Sequence, residues 1–113
     1  MNLREGIQSL SDEVRKISEL GPKRGSEILT ELSSLLAALN VEVLERNFIY
    51  NQKRQELLKE HETAAKARIF GESTVEWKSW QEAVGYKFSV LEMIRAIKYF
   101  LRELAEEKKE SIY

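Results

Sequence analysis

The sequence GESTVE at residues 71–76 decides the fold, because it is the strongest interruption in a chain that otherwise reads as helix. Ser73 and Glu76 stand three positions apart just ahead of an apolar run, which is the arrangement of a capping box at a helix N-terminus. A second interruption is the pair Gly21 and Pro22, since glycine can close a helix and proline cannot continue one. The two interruptions divide the chain into three predicted helices. They span about residues 2–20, 24–70 and 74–110.

Each predicted helix carries apolar residues at helical spacing. In the first helix, alternating steps of four and three form the narrow a/d seam of a coiled coil. The seam consists of Leu3, Ile7, Leu10, Val14 and Ile17. Because the two longer helices carry broader apolar stripes, we expect them to fold back on each other as an antiparallel hairpin. The predicted fold is all-α, a single domain in which a short N-terminal helix joins a long helical hairpin that assembles into an oligomeric bundle.

The hairpin predicts which residues face each other. Folding about residues 71–74 brings together positions whose numbers sum to about 143. In this register the small residues Ala64, Ala65 and Ala67 leave room for the indoles of Trp77 and Trp80. It also predicts three ion pairs between the second and third helices: Glu56 with Lys87, Glu45 with Lys98, and Glu42 with Arg102.

The composition is typical of long helices and coiled coils. Of the 113 residues, 42% are apolar and 33% are charged, so a packed core and a highly charged surface can coexist. The formal net charge of −1 gives no global field that would attract a polyanion. The chain has no cysteine, which excludes disulfides and thiolate metal sites. We see neither a signal peptide nor an apolar run of roughly 20 residues, and we therefore expect a soluble, cytoplasmic protein without a membrane partner.

The sequence gives little support to catalysis. His61 is the only histidine, and neither a Gly-rich phosphate loop nor a paired Glu-x-x-His motif is present. One interpretation of His61 is a half-buried side chain that binds a neighbouring glutamate. The other is acid-base catalysis with Glu60 or Glu62, although adjacent residues on a helix point to different sides. We predict that the protein is not an enzyme and that it holds no cofactor or metal.

The third helix carries a basic stripe. Its cations fall within about 80° of one another and could follow a phosphate backbone. They are Lys87, Arg95, Lys98 and Arg102. The alternative is that these cations pair with the glutamates of the second helix. The aromatic residues Trp77, Trp80 and Phe88 could stack on bases, but their helical spacing favours a packed core.

The apolar edges of the long helices exceed what the first helix can cover, which favours a homo-oligomer or another protein partner. The predicted interface consists of the first-helix seam, Leu3, Ile7, Leu10, Val14 and Ile17, together with Phe48 and Ile49. Our leading hypothesis is a non-enzymatic oligomeric interaction protein that works through helix–helix contacts. The alternative is a nucleic-acid-binding accessory protein that uses the basic stripe of the third helix.

Several features between Leu32 and Glu107 form a further pattern. They are an alanine-containing turn at 35–39, the aromatic Tyr50, an alanine-rich end at 63–68, the polar break at 73–76 and a charged last helix with Leu-Arg-Glu-Leu at 101–104. In this pattern the chain resembles small helical accessory proteins of tailed phages and prophages, often found near replication and recombination genes. The resemblance implies a viral or mobile-element protein of the host cytoplasm that contacts protein or nucleic acid. It supplies no catalytic residue.

Overall fold

The computed structural model describes residues 2–61 and 63–112, with side chains described as far as residue 109. These residues form four α-helices and one 3-10 turn, and no strand occurs among them. The elements are α1 (Leu3–Arg15), a 3-10 turn (Ile17–Glu19), α2 (Pro22–Glu60), α3 (Ala64–Gly71) and α4 (Val75–Ile112). The all-α prediction is confirmed, and the predicted count of three helices is corrected to four.

The chain forms two compact units. Unit 1 comprises residues Met1–Ala37 and Phe88–Tyr113, and unit 2 comprises Ala38–Lys87. Helices α2 and α4 contribute residues to both units, whereas α1 belongs to unit 1 and α3 to unit 2.

The first two helices begin and end differently from the prediction. The side chain of Asn2 accepts a hydrogen bond from the Glu5 amide at 2.8 Å and caps α1. α1 then ends at Arg15, because the chain tightens into the 3-10 turn and becomes extended at Leu20 ahead of the proline. Helix α2 begins at Pro22, the first-turn position at which the missing amide hydrogen of proline costs nothing.

Unit 1 has an apolar interior supplied by three helices. Its buried side chains include Ile7 and Leu10 from α1, Ile28 and Leu32 from α2, and Val90, Met93, Ile94 and Ile97 from α4. A bidentate ion pair also joins α1 to α2, since Arg24 donates to both carboxylate oxygens of Glu13, at 2.7 and 2.5 Å. The same guanidinium reaches Glu27 and Glu31 at 3.2 Å.

The long second helix of the prediction is interrupted in unit 2. It ends at Glu60, and the Thr63 side chain accepts a hydrogen bond from the Lys66 amide at 3.2 Å to cap the short helix α3. A threonine cap offers the backbone an alternative to continuous helix, which explains the break.

The cap of the last helix also lies one residue later than predicted. Helix α4 begins at Val75, and it is Thr74 whose hydroxyl accepts from the Trp77 amide at 3.2 Å. The Ser73 hydroxyl instead donates to the Phe70 carbonyl at 2.7 Å. The predicted capping box of Ser73 and Glu76 is therefore replaced by a threonine cap.

The extra helix shifts the pairing of α2 with α4 in unit 2. The ring of Tyr50 stacks on Trp80 with centroids 5.4 Å apart, whereas the predicted register placed a residue near Met93 there. Ala67 is buried, but Ala64 and Ala65 are exposed. The predicted packing of the indoles against Ala64 and Ala65 is therefore wrong, because those alanines belong to a separate helix that turns them outward.

The two glycines of unit 2 allow a test of this packing. A Cβ atom built on Gly85 meets no atom within 4 Å, whereas one built on Gly71 lies 3.0 Å from Oη of Tyr50. Gly85→Ala should raise the free energy of unfolding by about 0.5–1 kcal/mol, the gain expected in a helix interior. Gly71→Ala should lower it by about 1 kcal/mol, because buried Tyr50 must move. Urea unfolding followed by circular dichroism measures both, and equal gains would contradict the packing.

The ion pair of Glu13 makes the stability of unit 1 depend on pH. Hydrogen bonds from Arg24 hold the pKa of Glu13 below its ordinary value, with Coulombic attraction adding to them and partial burial opposing them. Because the folded pKa is the lower one, this stabilisation is present above the unfolded value of about 4.3 and is lost as pH falls through the folded pKa.

We expect urea unfolding at several pH values to show this loss as the pH is lowered below the unfolded value of about 4.3. Since the Glu13 side chain is 34% exposed, the contribution should stay near or below about 1 kcal/mol. Glu13→Gln should remove that part of the pH dependence. Glu5→Gln, which changes a carboxylate on the same helix that makes no ion pair with a described residue, is the matched control. An unchanged pH profile in Glu13→Gln would refute this assignment.

Candidate interaction surfaces

The predicted interface residues fall into two groups. Ile7 and Leu10 of α1 are buried in unit 1, and Leu3, Val14 and Ile17 are half-buried. The seam of α1 therefore packs within its own unit, because the apolar sides of α2 and α4 there cover it. The other two residues, Phe48 and Ile49, are exposed on α2 in unit 2.

Phe48 belongs to a larger exposed row, which we call the outer face of α2. The row follows alternating steps of three and four through Val41, Leu44, Phe48, Asn51 and Gln55. At 3.6 residues per turn, its members lie within about 80° of one another. Val41 is 54% exposed, Leu44 70% and Phe48 62%, so three large apolar side chains of neighbouring turns meet solvent.

The outer face contains no charged residue. All five charged residues of α2 between positions 38 and 55 lie outside the row: Glu42, Glu45, Arg46, Lys53 and Arg54. The solvent side of a helix is normally where charged residues collect, and 33% of this chain is charged. Depletion of charge around exposed apolar side chains is typical of the centre of a protein interface.

The exposure of this face does not come from a poorly packed helix. Leu39, Tyr50 and Leu57 of the same helix are buried in unit 2, roughly 150° around the helix from the outer face. α2 therefore presents two apolar sides, of which one is packed within the unit. The predicted interface contained Phe48 but neither Val41 nor Leu44, although the three- and four-residue steps that join them to uncharged Asn51 and Gln55 are visible in the sequence.

A groove lies beside Ile49 in unit 2. It encloses about 190 Å³ and is lined by Arg46, Ile49, Val75, Glu76 and Ser79. Ile49 and Val75 are more than half exposed, so the apolar part of this groove is open to solvent.

The guanidinium of Arg46 forms hydrogen bonds within unit 2 and is therefore not free to bind a ligand. Its Nε donates to Glu42 at 2.8 Å, and one Nη donates to the Ser79 carbonyl at 2.9 Å and to Glu82 at 3.4 Å. Burial is the largest single influence and lowers the pKa of Arg46, but the hydrogen bonds and Coulombic attraction from Glu42 and Glu82 together outweigh it, so the pKa is raised. The guanidinium thus ties α2 to α4 within unit 2.

The predicted basic stripe is divided by burial and by ion pairing. Lys87 is half-buried in unit 2, and Arg95, Lys98 and Arg102 are exposed in unit 1. Arg95 pairs with Glu92 on the same helix at 2.7 Å. No ion pair joins Lys98 or Arg102 to another residue of the described chain, so two of the four cations remain available to an anion.

Two of the three acidic partners predicted for these cations pair with other residues, and the third, Glu45, makes no ion pair within the described chain. Glu42 pairs with Arg46 at 2.8 Å, and Glu56 pairs with Lys53 at 3.5 Å, both within α2. The aromatic prediction is corrected in one position: Trp77 and Trp80 are half-buried, but Phe88 is 66% exposed in unit 1 and does not belong to the core.

His61 has an aromatic contact where a glutamate partner was predicted. Its ring is half-buried and stacks on Phe70 of α3, with centroids 4.4 Å apart and an interplanar angle of 9°. Glu62, one of its predicted partners, lies outside the described residues. Among the side chains that the structure describes, no group of three or more histidine, aspartate or glutamate residues is placed to hold a metal ion.

Comparison with protein-family models, with curated proteins and with solved structures finds no match. Within residues 2–61 and 63–112, no helix has a stretch that is both long and apolar enough to cross a membrane. The candidate surfaces therefore rest on the geometry of this chain alone.

Proposed function

We propose that this protein is a non-enzymatic, oligomeric interaction protein that works through helix–helix contacts. The observation that carries the proposal is the outer face of α2, with Val41, Leu44 and Phe48 more than half exposed in a row without charge. Because these side chains are mostly exposed in the monomer, they contribute little to its free energy of unfolding. The resemblance to phage and prophage accessory proteins supports a viral or mobile-element role in the host cytoplasm.

The energies are consistent with a reversible assembly. Covering the remaining exposed part of each of the three apolar side chains would contribute about 1–2 kcal/mol. A dimer that covers both copies would therefore gain about 6–12 kcal/mol before the cost of association, which is about 4–15 kcal/mol. The most favourable combination, a gain of about 12 kcal/mol against a cost of about 4 kcal/mol, leaves about 8 kcal/mol, which corresponds to a dissociation constant of about 1 μM; every other combination gives a weaker pair.

We expect sedimentation equilibrium at concentrations of about 1–100 μM to show a dimer or larger oligomer that dissociates on dilution. Phe48→Gln should raise the dissociation constant by about tenfold or more, because the substitution removes two buried rings from each dimer. Phe88→Gln, which removes an equally exposed phenylalanine from unit 1, is the matched control and should leave the dissociation constant unchanged. A wild-type monomer throughout this range, with cooperative thermal unfolding, would contradict the proposed function.

A second candidate function is binding of single-stranded nucleic acid by α4. Lys98 and Arg102 are exposed without an ion pair to the described chain, and the ring of Tyr99 between them in sequence is 63% exposed. Cations that follow a backbone and an aromatic ring that stacks on a base are the two components of such sites. Arg95, already paired with Glu92, would contribute less.

This second candidate is tested by fluorescence anisotropy with single-stranded DNA at low and physiological salt. Binding should be saturable and weaken steeply with salt, and the log–log slope should fall by about 0.7 for each cation that no longer neutralises a phosphate. The double variant Lys98→Gln with Arg102→Gln should flatten the slope. Lys59→Gln with Lys78→Gln makes the same charge change elsewhere and should not. Absence of saturable binding at low salt would eliminate this function.

A further inference from the structure

The order of residue types along the outer face of α2 indicates which partner it binds. Its apolar residues, Val41, Leu44 and Phe48, occupy one end, and its amides, Asn51 and Gln55, occupy the other. We propose that this face pairs with the same face of a second copy, with the two α2 helices parallel and in register. The inference rests on the proposed function, because it names the partner and the orientation for the surface described there.

The absence of charge favours a second copy as the partner. Contact between identical faces brings each residue type against itself, so any charge at the centre would create a like-charge pair. The row from Val41 to Gln55 avoids that penalty because it contains none. A charged partner would gain no ion pair from this row, whereas an identical face matches both its apolar end and its amide end.

The sequence of apolar and amide residues favours the parallel orientation. In a parallel, in-register pair, apolar side chains meet apolar side chains and Asn51 meets its own counterpart, an arrangement that fixes register in two-stranded coiled coils. An antiparallel pair centred on the apolar end sets Leu44 against Phe48, but it also buries Val41 against Asn51. That pairing removes amide groups from water without giving them a partner.

The residues that flank the row also favour the parallel orientation. In the parallel pair, Glu45 lies near Asn40 of the second copy, and a neutral amide can donate to its carboxylate. In the antiparallel pair, Glu45 lies near its own counterpart and repels it. The Asn51 side chain already donates one N–H to Asn47 at 3.1 Å, which orients its amide and leaves a second N–H and the carbonyl oxygen for the counterpart.

Single cysteines test this geometry cleanly, because the chain has no cysteine of its own. Gln55→Cys places thiols at facing seam positions of the parallel pair, where a disulfide can form, and leaves Asn51 in place to fix the register. Glu45→Cys places them together only in the antiparallel pair. Lys78→Cys, at an exposed position of α4, is the control for random collision. Each variant is oxidised in a glutathione buffer at a concentration at which the wild type is dimeric, and covalent dimers are separated without reductant.

We expect Gln55→Cys to form covalent dimers about tenfold faster than Lys78→Cys, since pairing raises the effective thiol concentration. Glu45→Cys should match the control. Circular dichroism verifies that each variant is helical, and Asn51→Cys, a second facing position, replaces Gln55→Cys if that variant does not fold. Rapid cross-linking through Glu45→Cys alone would establish an antiparallel pair and overturn the inference.

The outcomes separate this inference from the proposed function. If the wild type is a dimer but no cysteine on α2 cross-links faster than the control, the interface lies on another surface. The inference then fails and the proposed function stands. If the wild type is a monomer at every concentration, both fail.

Discussion

The hydrogen bond that caps α3 is the constraint on which the arrangement of unit 2 depends. Because the Thr63 side chain accepts from the Lys66 amide, the chain leaves α2 at Glu60 and forms a separate helix before α4 begins at Val75. This connection sets which residues of α2 and α4 face each other. It brings Tyr50 onto Trp80, and Arg46 onto the Ser79 carbonyl. Gly71 at the end of α3 lets the backbone lie close to the Tyr50 hydroxyl, because a Cβ atom there would stand 3.0 Å from Oη and would displace the ring.

Much of the architecture could be predicted from local signals. The helical spacing of apolar residues and the pair Gly21 and Pro22 indicate where the first helices lie, because periodicity and backbone restriction act over a few residues. The break at Thr63 could not be predicted in the same way. Threonine is common inside helices, and its role as a cap depends on whether the following segment gains more by packing separately. Because the break was missed, the predicted register between α2 and α4 does not hold in unit 2, where Tyr50 stacks on Trp80 and Arg46 binds the Ser79 carbonyl.

The candidate interface shows a second limit of sequence reasoning. The seam of α1 and the outer face of α2 both follow three- and four-residue steps, yet Ile7 is buried in unit 1 and Phe48 is exposed. Spacing identifies which side of a helix makes contacts, but it does not say whether the contact is made within the chain. Only the burial of Leu39, Tyr50 and Leu57 on the opposite side of α2 establishes that the unit is already packed without Val41, Leu44 and Phe48.

Charge is distributed differently over the packed surfaces of the helices and over the outer face of α2. Arg24 and Arg46 each hold several carboxylates and link neighbouring helices inside unit 1 and unit 2 respectively, so these cations serve folding. On the outer face of α2, charge is absent and the apolar area is confined to about two turns. A longer apolar row would bind a second copy more tightly but would also promote aggregation of unassembled chains. The short row with its amide end therefore fits the proposed reversible pairing of two copies, in which the amides would contribute register more than affinity.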